Sequence, residues 1–159
     1  MTTTRKIYRI LDANFNRSRE GLRVCEEVVR FVLEEASLTR ELKSCRHAIS
    51  DIWKKLLERD PAILKSRDAL HDVGSEASKV ENSRADFKSL FAANSQRVKE
   101  SLRTLEETIK LVEPNDAKIF KRIRFRVYTI EKKVLPKLAA LRDHVSRVSR
   151  RPVPKRARA

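Results

Sequence analysis

The stretch Ala13-Asn14-Phe15-Asn16-Arg17-Ser18-Arg19-Glu20-Gly21-Leu22-Arg23-Val24-Cys25-Glu26-Glu27 returns eighty residues later as Ala93-Asn94-Ser95-Gln96-Arg97-Val98-Lys99-Glu100-Ser101-Leu102-Arg103-Thr104-Leu105-Glu106-Glu107. Eight positions are identical: Ala13, Asn14, Arg17, Glu20, Leu22, Arg23, Glu26 and Glu27 match Ala93, Asn94, Arg97, Glu100, Leu102, Arg103, Glu106 and Glu107. A second set aligns at an offset of 78, where Lys43, Arg46, Ile52, Lys54, Lys55 and Leu57 match Lys121, Arg124, Ile130, Lys132, Lys133 and Leu135. Self-similarity at a fixed spacing is the signature of a structural unit used twice. In each copy the apolar residues recur with helical rhythm, Ser18, Leu22, Cys25, Val29 and Val32 in the first and Val98, Leu102, Leu105, Ile109 and Val112 in the second, which marks the buried stripe of an amphipathic helix.

Outward from that stripe, the spacing predicts long helices over about 6–35, 38–59, 83–112 and 116–145. Asp60-Pro61 restarts a short helix, since Asp caps well and Pro is tolerated in the first turn. The expected fold is all-α: a four-helix bundle of two tandem helix pairs related by an approximate two-fold. The expected domain spans 1–137, with repeat 1 at about 7–59, a linker at about 60–82 and repeat 2 at about 83–137; residues 138–159 form the end of the last helix and a basic tail. Two glycines in 159 residues, with 40% hydrophobic and 37% charged residues, fit uninterrupted helices better than a turn-rich β fold.

With only two glycines there is no Gly-rich phosphate loop of either common type, so any phosphate must be held by side-chain cations or helix N-termini. The chain carries a net charge of +15, and its last 22 residues hold seven arginines and lysines against the single Asp143. Such a balance attracts phosphorylated small molecules and nucleic acids alike. No stretch approaches the roughly 20 apolar residues of a membrane span, and no apolar segment follows the polar start, so the expected location is cytoplasmic. Cys25 and Cys45 lack metal-ligand spacing and read as reduced, partly buried thiols.

Six of the eight identities in the first alignment are polar, whereas buried partners changed, as Cys25 to Leu105 and Val29 to Ile109. Packing tolerates such swaps when volume persists. A retained polar set therefore marks candidate chemistry: Arg17, Glu20, Arg97 and Glu100 lie on one stripe per copy, and Arg46 and Arg124 add one guanidinium each from the partner helices, suited to phosphate oxygens. The alternative reading is ordinary surface pairing one helical turn apart, Arg17 with Glu20 and Arg23 with Glu27. Asn14 and Asn94 head the apolar stripes and serve either as buried hinges or as contacts to a bound ring. The unduplicated connection holding Asp72 and Gly74 is placed to close over a site.

The block Arg9 to Glu27 followed by Arg30-Phe31, with Leu42-Lys43, Arg46-His47, Asp72-Val73-Gly74 and the second block from Ala93 to Glu107, resembles the small monofunctional hydroxymethylpyrimidine phosphate kinase family of thiamine biosynthesis, a domain that occurs alone or fused to thiamine-phosphate synthase. The resemblance spans about Ile7 to Lys137; Lys99, Ser101 and the basic tail depart from the pattern. It implies transfer of the ATP γ-phosphoryl group to 4-amino-5-hydroxymethyl-2-methylpyrimidine phosphate, with Mg²⁺, by a copy that works without the fused synthase. On that basis Arg17, Glu20, Arg97 and Glu100 are the catalytic candidates, with Glu20 and Glu100 toward Mg²⁺. Asp12, Asn14, Asn16, Arg46, Asp72, Asn94 and Arg124 are the substrate-binding candidates. The alternative is a basic helical protein that binds nucleic acid through its tail; a homodimer is left open.

Overall fold

The computed structural model describes residues 2–68 and 84–148, with side chains described through 141. Five α-helices make up the described chain: α1 (Thr3–Phe31), α2 (Ala36–Arg59), a single turn α3 (Ala62–Lys65), α4 (Phe87–Thr108) and α5 (Ala117–Val148). No strand occurs among the described residues, so the all-α expectation holds.

Most departures from the expected helices sit at their ends. The apolar spacing of Val32 and Leu33 reads as a continuing helix, yet α1 stops at Phe31 because Glu34 turns the chain with a left-handed φ of 55°. Glycine or asparagine usually takes that conformation, so the sequence carries no warning of it. α4 begins at Phe87, not near Ser83, because Asp86 accepts a hydrogen bond from the Ser89 amide (2.7 Å) while Ser89 Oγ accepts one from the Asp86 amide (3.1 Å). This reciprocal cap satisfies two groups that a helix start leaves unpaired. Asp60 Oδ1 accepts from the Ala62 amide at 3.0 Å, which starts α3 where the Asp-Pro pair predicts it.

α1 and α4 cross closely and run in opposite directions. Gly21 lies against Asn94 and Val98, while Cys25 Sγ donates to the Phe91 carbonyl at 3.8 Å. A Cβ built on Gly21 would sit 2.7 Å from Val98 Cγ2 and 3.1 Å from the Asn94 carbonyl oxygen. Glycine inside a helix costs about 1 kcal/mol relative to alanine; the close crossing accounts for its presence. Ser101, its counterpart, is also small and buried.

α2 returns antiparallel along α1, with the Phe15 and Trp53 rings 4.8 Å apart and Tyr8 donating to Asp60 Oδ2 at 2.6 Å. α5 repeats this arrangement on α4. Leu11, Phe15, Leu22, Val29, Ile49, Phe91, Val98, Leu102, Leu105, Phe120 and Ile130 are closed off from solvent in one continuous core. Both thiols are buried in it, and desolvation pushes Cys25 up to about 12, which keeps it protonated and inert.

Each helix pair is also held by a buried carboxylate between two arginines. Glu26, 3% exposed, accepts from Arg46 Nε at 2.9 Å and has Arg23 at 3.5 Å. In the second copy Glu106 accepts from Arg124 Nη2 at 2.8 Å and Arg103 Nη1 at 2.9 Å. Two guanidiniums per buried charge satisfy its lone pairs, the condition under which such a charge is tolerated.

Two stability outcomes follow from these contacts. Gly21→Val should destabilise by about 2 kcal/mol or more, since the facing carbonyl is backbone and cannot yield; an unchanged urea midpoint would show that the helices do not meet there. Glu26→Ala should cost roughly 3 kcal/mol by stranding Arg46, whereas the double change Glu26→Leu with Arg46→Met should recover most of it. Equal losses in the single and double variants would mean that the pair does not act as a unit.

Candidate functional site

The four polar residues that the repeat brings to one stripe per copy lie on one face of the bundle. Around α1, at 100° per residue, Tyr8, Phe15 and Glu26 point to α2, and Asn14, Gly21 and Cys25 point to α4. Arg17 borders the α4 seam, and Glu20 falls on the side that neither neighbour covers. α2 and α5 touch each other, so they lie on the same side of the α1/α4 layer and its opposite side is open on both helices. With α1 and α4 antiparallel, Arg17 stands level with Glu100 and Glu20 with Arg97. All four are exposed.

A cleft of about 500 Å³ opens on α1 at the N-terminal end of this face, lined chiefly by Lys6, Arg9, Asp12, Asn14, Arg17 and Arg67. Asp12 is 4% exposed and takes a two-pronged bond from Arg67, Nε to Oδ2 at 2.7 Å and Nη2 to Oδ1 at 2.6 Å. That contact raises the Arg67 pKa above the usual guanidinium value, by the hydrogen bond first and the Coulomb attraction second. Asn16 Nδ2 donates to Asp12 Oδ1 at 3.3 Å. Arg9 Nη2 donates to the Asp68 carbonyl at 3.1 Å. Among the described residues the Arg17 and Lys6 side chains make no hydrogen bond or ion pair, which leaves their charges to a ligand. Four cations against Asp12 and Asp68 make the cleft attractive to an anion.

Asn14 Nδ2 donates to the Ile10 carbonyl at 2.8 Å, and Asn94 Nδ2 to the Leu90 carbonyl at 2.9 Å. Each amide is tied to its own helix through nitrogen, and its carbonyl oxygen remains as an acceptor. Only Asn14 lines the cleft. Glu100 accepts from Gln96 Nε2 at 2.7 Å, and the Glu20 side chain has no partner among the described residues. No group of three or more metal-ligating side chains occurs among the described residues.

The structure departs from the sequence reading at Arg46 and Arg124. Both were placed toward substrate, yet both bind the buried Glu26 and Glu106 between helices. Arg23, Glu27, Arg103 and Glu107 join the same networks, with Arg23 to Glu27 at 2.7 Å and Arg103 to Glu107 at 2.9 Å. Half of the polar identities in the first repeat block thus serve to clamp helices. Asp72 lies outside the described residues. Lys6 and Arg9 were missed as site candidates and have no duplicated counterpart; Arg67, at the start of the unduplicated connection, reaches Asp12 across 55 residues of sequence.

No helix of the described residues is long and apolar enough to cross a membrane. Among curated proteins, the chain is 44% identical over 130 residues to thiamine-phosphate synthase of Nostoc punctiforme, covering 81% of this chain and 35% of that protein. It is 42% identical over 130 residues to thiamine-phosphate synthase of Synechocystis sp., covering 81% of the chain and 36% of the relative. Against thiamine-phosphate synthase of Rhodopirellula baltica the identity is 38% over 139 residues, covering 87% and 36%. The chain therefore spans about a third of the length of these relatives. No solved structure matches it. The ThiD2 family model matches residues 9–133, which takes in the cleft residues from Arg9 onward and both Glu–Arg clamps, and the chain belongs to the ThiD2 family.

Proposed function

We propose that this chain acts in thiamine biosynthesis as a kinase that passes the γ-phosphoryl group of ATP to 4-amino-5-hydroxymethyl-2-methylpyrimidine phosphate. The observation that carries this reading is the cationic cleft with the uncommitted Arg17 beside the buried Asp12–Arg67 pair. The names of the relatives support the pathway.

Phosphoryl transfer rests mostly on positioning and charge stabilisation. Arg17, with Lys6 and Arg9, grips the phosphate of the acceptor. Arg67, oriented by Asp12, presents its outer donors to the same group. The Asn14 carbonyl oxygen accepts from the ring amine, and Asn16 steadies Asp12. Arg97, beyond the seam on the shared face, steadies donor phosphates together with Arg17. Asn94 keeps α4 in register and stands farther from the acceptor.

In the transfer, an oxygen of the acceptor phosphate forms a bond to the γ-phosphorus of ATP while the bond to ADP breaks, which leaves a phosphoanhydride and ADP. The second pKa of a phosphate monoester is about 6, so the attacking oxygen is already ionised at neutral pH and no strong base is needed. Mg²⁺ arriving with ATP would supply charge neutralisation on the donor phosphates, and one or two protein carboxylates would suffice to hold it. Glu20 fits that part, being exposed beside Arg17 and without a partner among the described residues; Glu100 is the second carboxylate of the face.

Incubation of the purified protein with MgATP should yield diphosphate from the pyrimidine monophosphate and none from the free alcohol, read by chromatography of the products. Diphosphate from neither compound would overturn the assignment. Arg17→Ala should lower kcat/KM by about a hundredfold or more while circular dichroism stays unchanged. Arg17→Lys should restore part of the loss, and Lys54→Ala, on the far surface, should have no effect; a fully active Arg17→Ala would remove Arg17 from the site.

A further inference from the structure

The sequence reading placed nucleic-acid contact in the basic tail. The structure exposes two aromatic residues together. Phe125 is 54% and Tyr128 41% exposed on α5, their ring centroids 5.9 Å apart in an edge-to-face pair. Arg124 lies over both, 5.5 Å from the centre of Phe125 and 6.0 Å from that of Tyr128. A depression of about 440 Å³ beside Phe125 is lined by Lys118, Lys121, Arg122, Arg126 and Thr129. All four of those cations are exposed, and among the described residues none of their side chains makes a hydrogen bond or ion pair. Between Ala117 and Ile130 there is no acidic residue.

This surface belongs neither to the core nor to the proposed kinase site. A phenyl ring that is half exposed contributes little to folding, and the matching position of the first copy is His47. The cleft on α1 opens on the free side of the α1/α4 layer, whereas α5 packs against the other side of that layer. Elsewhere, many of the bundle's arginines and lysines are tied to carboxylates, among them Arg23, Arg46, Lys99, Arg103 and Lys137. Unpaired cations around exposed π-faces form the combination that holds a strand of nucleotides: phosphates meet the cations and bases stack on the rings.

We propose that the outer face of α5 binds single-stranded nucleic acid, with Phe125 as the stacking ring and Lys118, Lys121, Arg122 and Arg126 as phosphate contacts. Arg124 is kept from this role by Glu106 and instead fixes the rings. Binding is tolerant of sequence, because every base offers a π-face.

The test is fluorescence anisotropy with a labelled 15-nucleotide single-stranded RNA and the full chain at several salt concentrations. Phe125→Ala should weaken RNA binding about tenfold and leave the binding of heparin, a polyanion without bases, unchanged. Arg122→Glu should weaken both ligands and reduce the salt slope for RNA by about one. These exposed changes should leave the circular dichroism spectrum and the ATP-dependent activity as they are. No RNA binding, or RNA binding indifferent to Phe125→Ala, would overturn the proposal, as would binding of an acidic peptide in preference to RNA. None of these outcomes bears on the kinase reading, which rests on α1.

Discussion

The close crossing of α1 and α4 at Gly21 is the constraint on which the remaining geometry depends. Two helices approach to backbone contact only where one of them has no side chain in the way, and the Asn94 carbonyl and Val98 fill the space that any Cβ would need. That contact fixes both the separation and the register of the central pair. Register in turn puts Arg17 opposite Glu100 and Glu20 opposite Arg97. A shift by one residue would turn each stripe by 100° and break the shared face. The outer helices follow, since each is anchored to the central layer by an arginine on the buried Glu26 or Glu106.

Duplication gave the bundle its symmetry, and the ends of α1 and α4 show where the copies diverged. α1 starts one turn earlier relative to the repeat and brings Lys6 and Arg9 to the cleft. The equivalent positions in α4 are Asp86 and Ser89, which cap the helix instead. Asp12 corresponds to Ala92, so the second copy has no anchor for an arginine like Arg67. A scaffold held by repeated contacts thus supports an anionic-ligand cleft on its first copy. This asymmetry favours the first copy as the place of the acceptor.

The repeat made the fold legible, because helix-period apolar residues recurred in two blocks that could be read against each other. Helix ends were less legible: Glu34 turns left-handed without glycine, and Val32 and Leu33 keep the apolar rhythm past the stop. Retained polarity mixed two reasons for retention. Glu26 and Arg46 are far apart in sequence, and nothing in either residue type announces that one is buried and the other is its counter-ion. Their joint recurrence as Glu106 and Arg124 was the available signal. Arg67 could not be found by this route, since it lies in the unduplicated connection and its partner Asp12 has no twin. Phe125 escaped for the opposite reason: composition counts aromatic residues without saying which are left outside the core.

The chemistry of the proposed cleft bears on which pyrimidine it suits. An alcohol attacking ATP must lose a proton of high pKa, so a catalyst for that reaction needs a base in reach of the hydroxyl. Asp12, the buried carboxylate of the cleft, is held in both prongs by Arg67 and also accepts from Asn16. Both of its oxygens are therefore engaged by donors. His47, on α2, does not line the cleft. A phosphate ester asks for the reverse set of groups: its attacking oxygen is already charged, and the need is for cations that overcome its repulsion from the donor. Arg17, Lys6, Arg9 and Arg67 supply that set. Selection for the monophosphate over the alcohol then needs no steric filter, because only the charged acceptor both engages the cations and carries its own nucleophile.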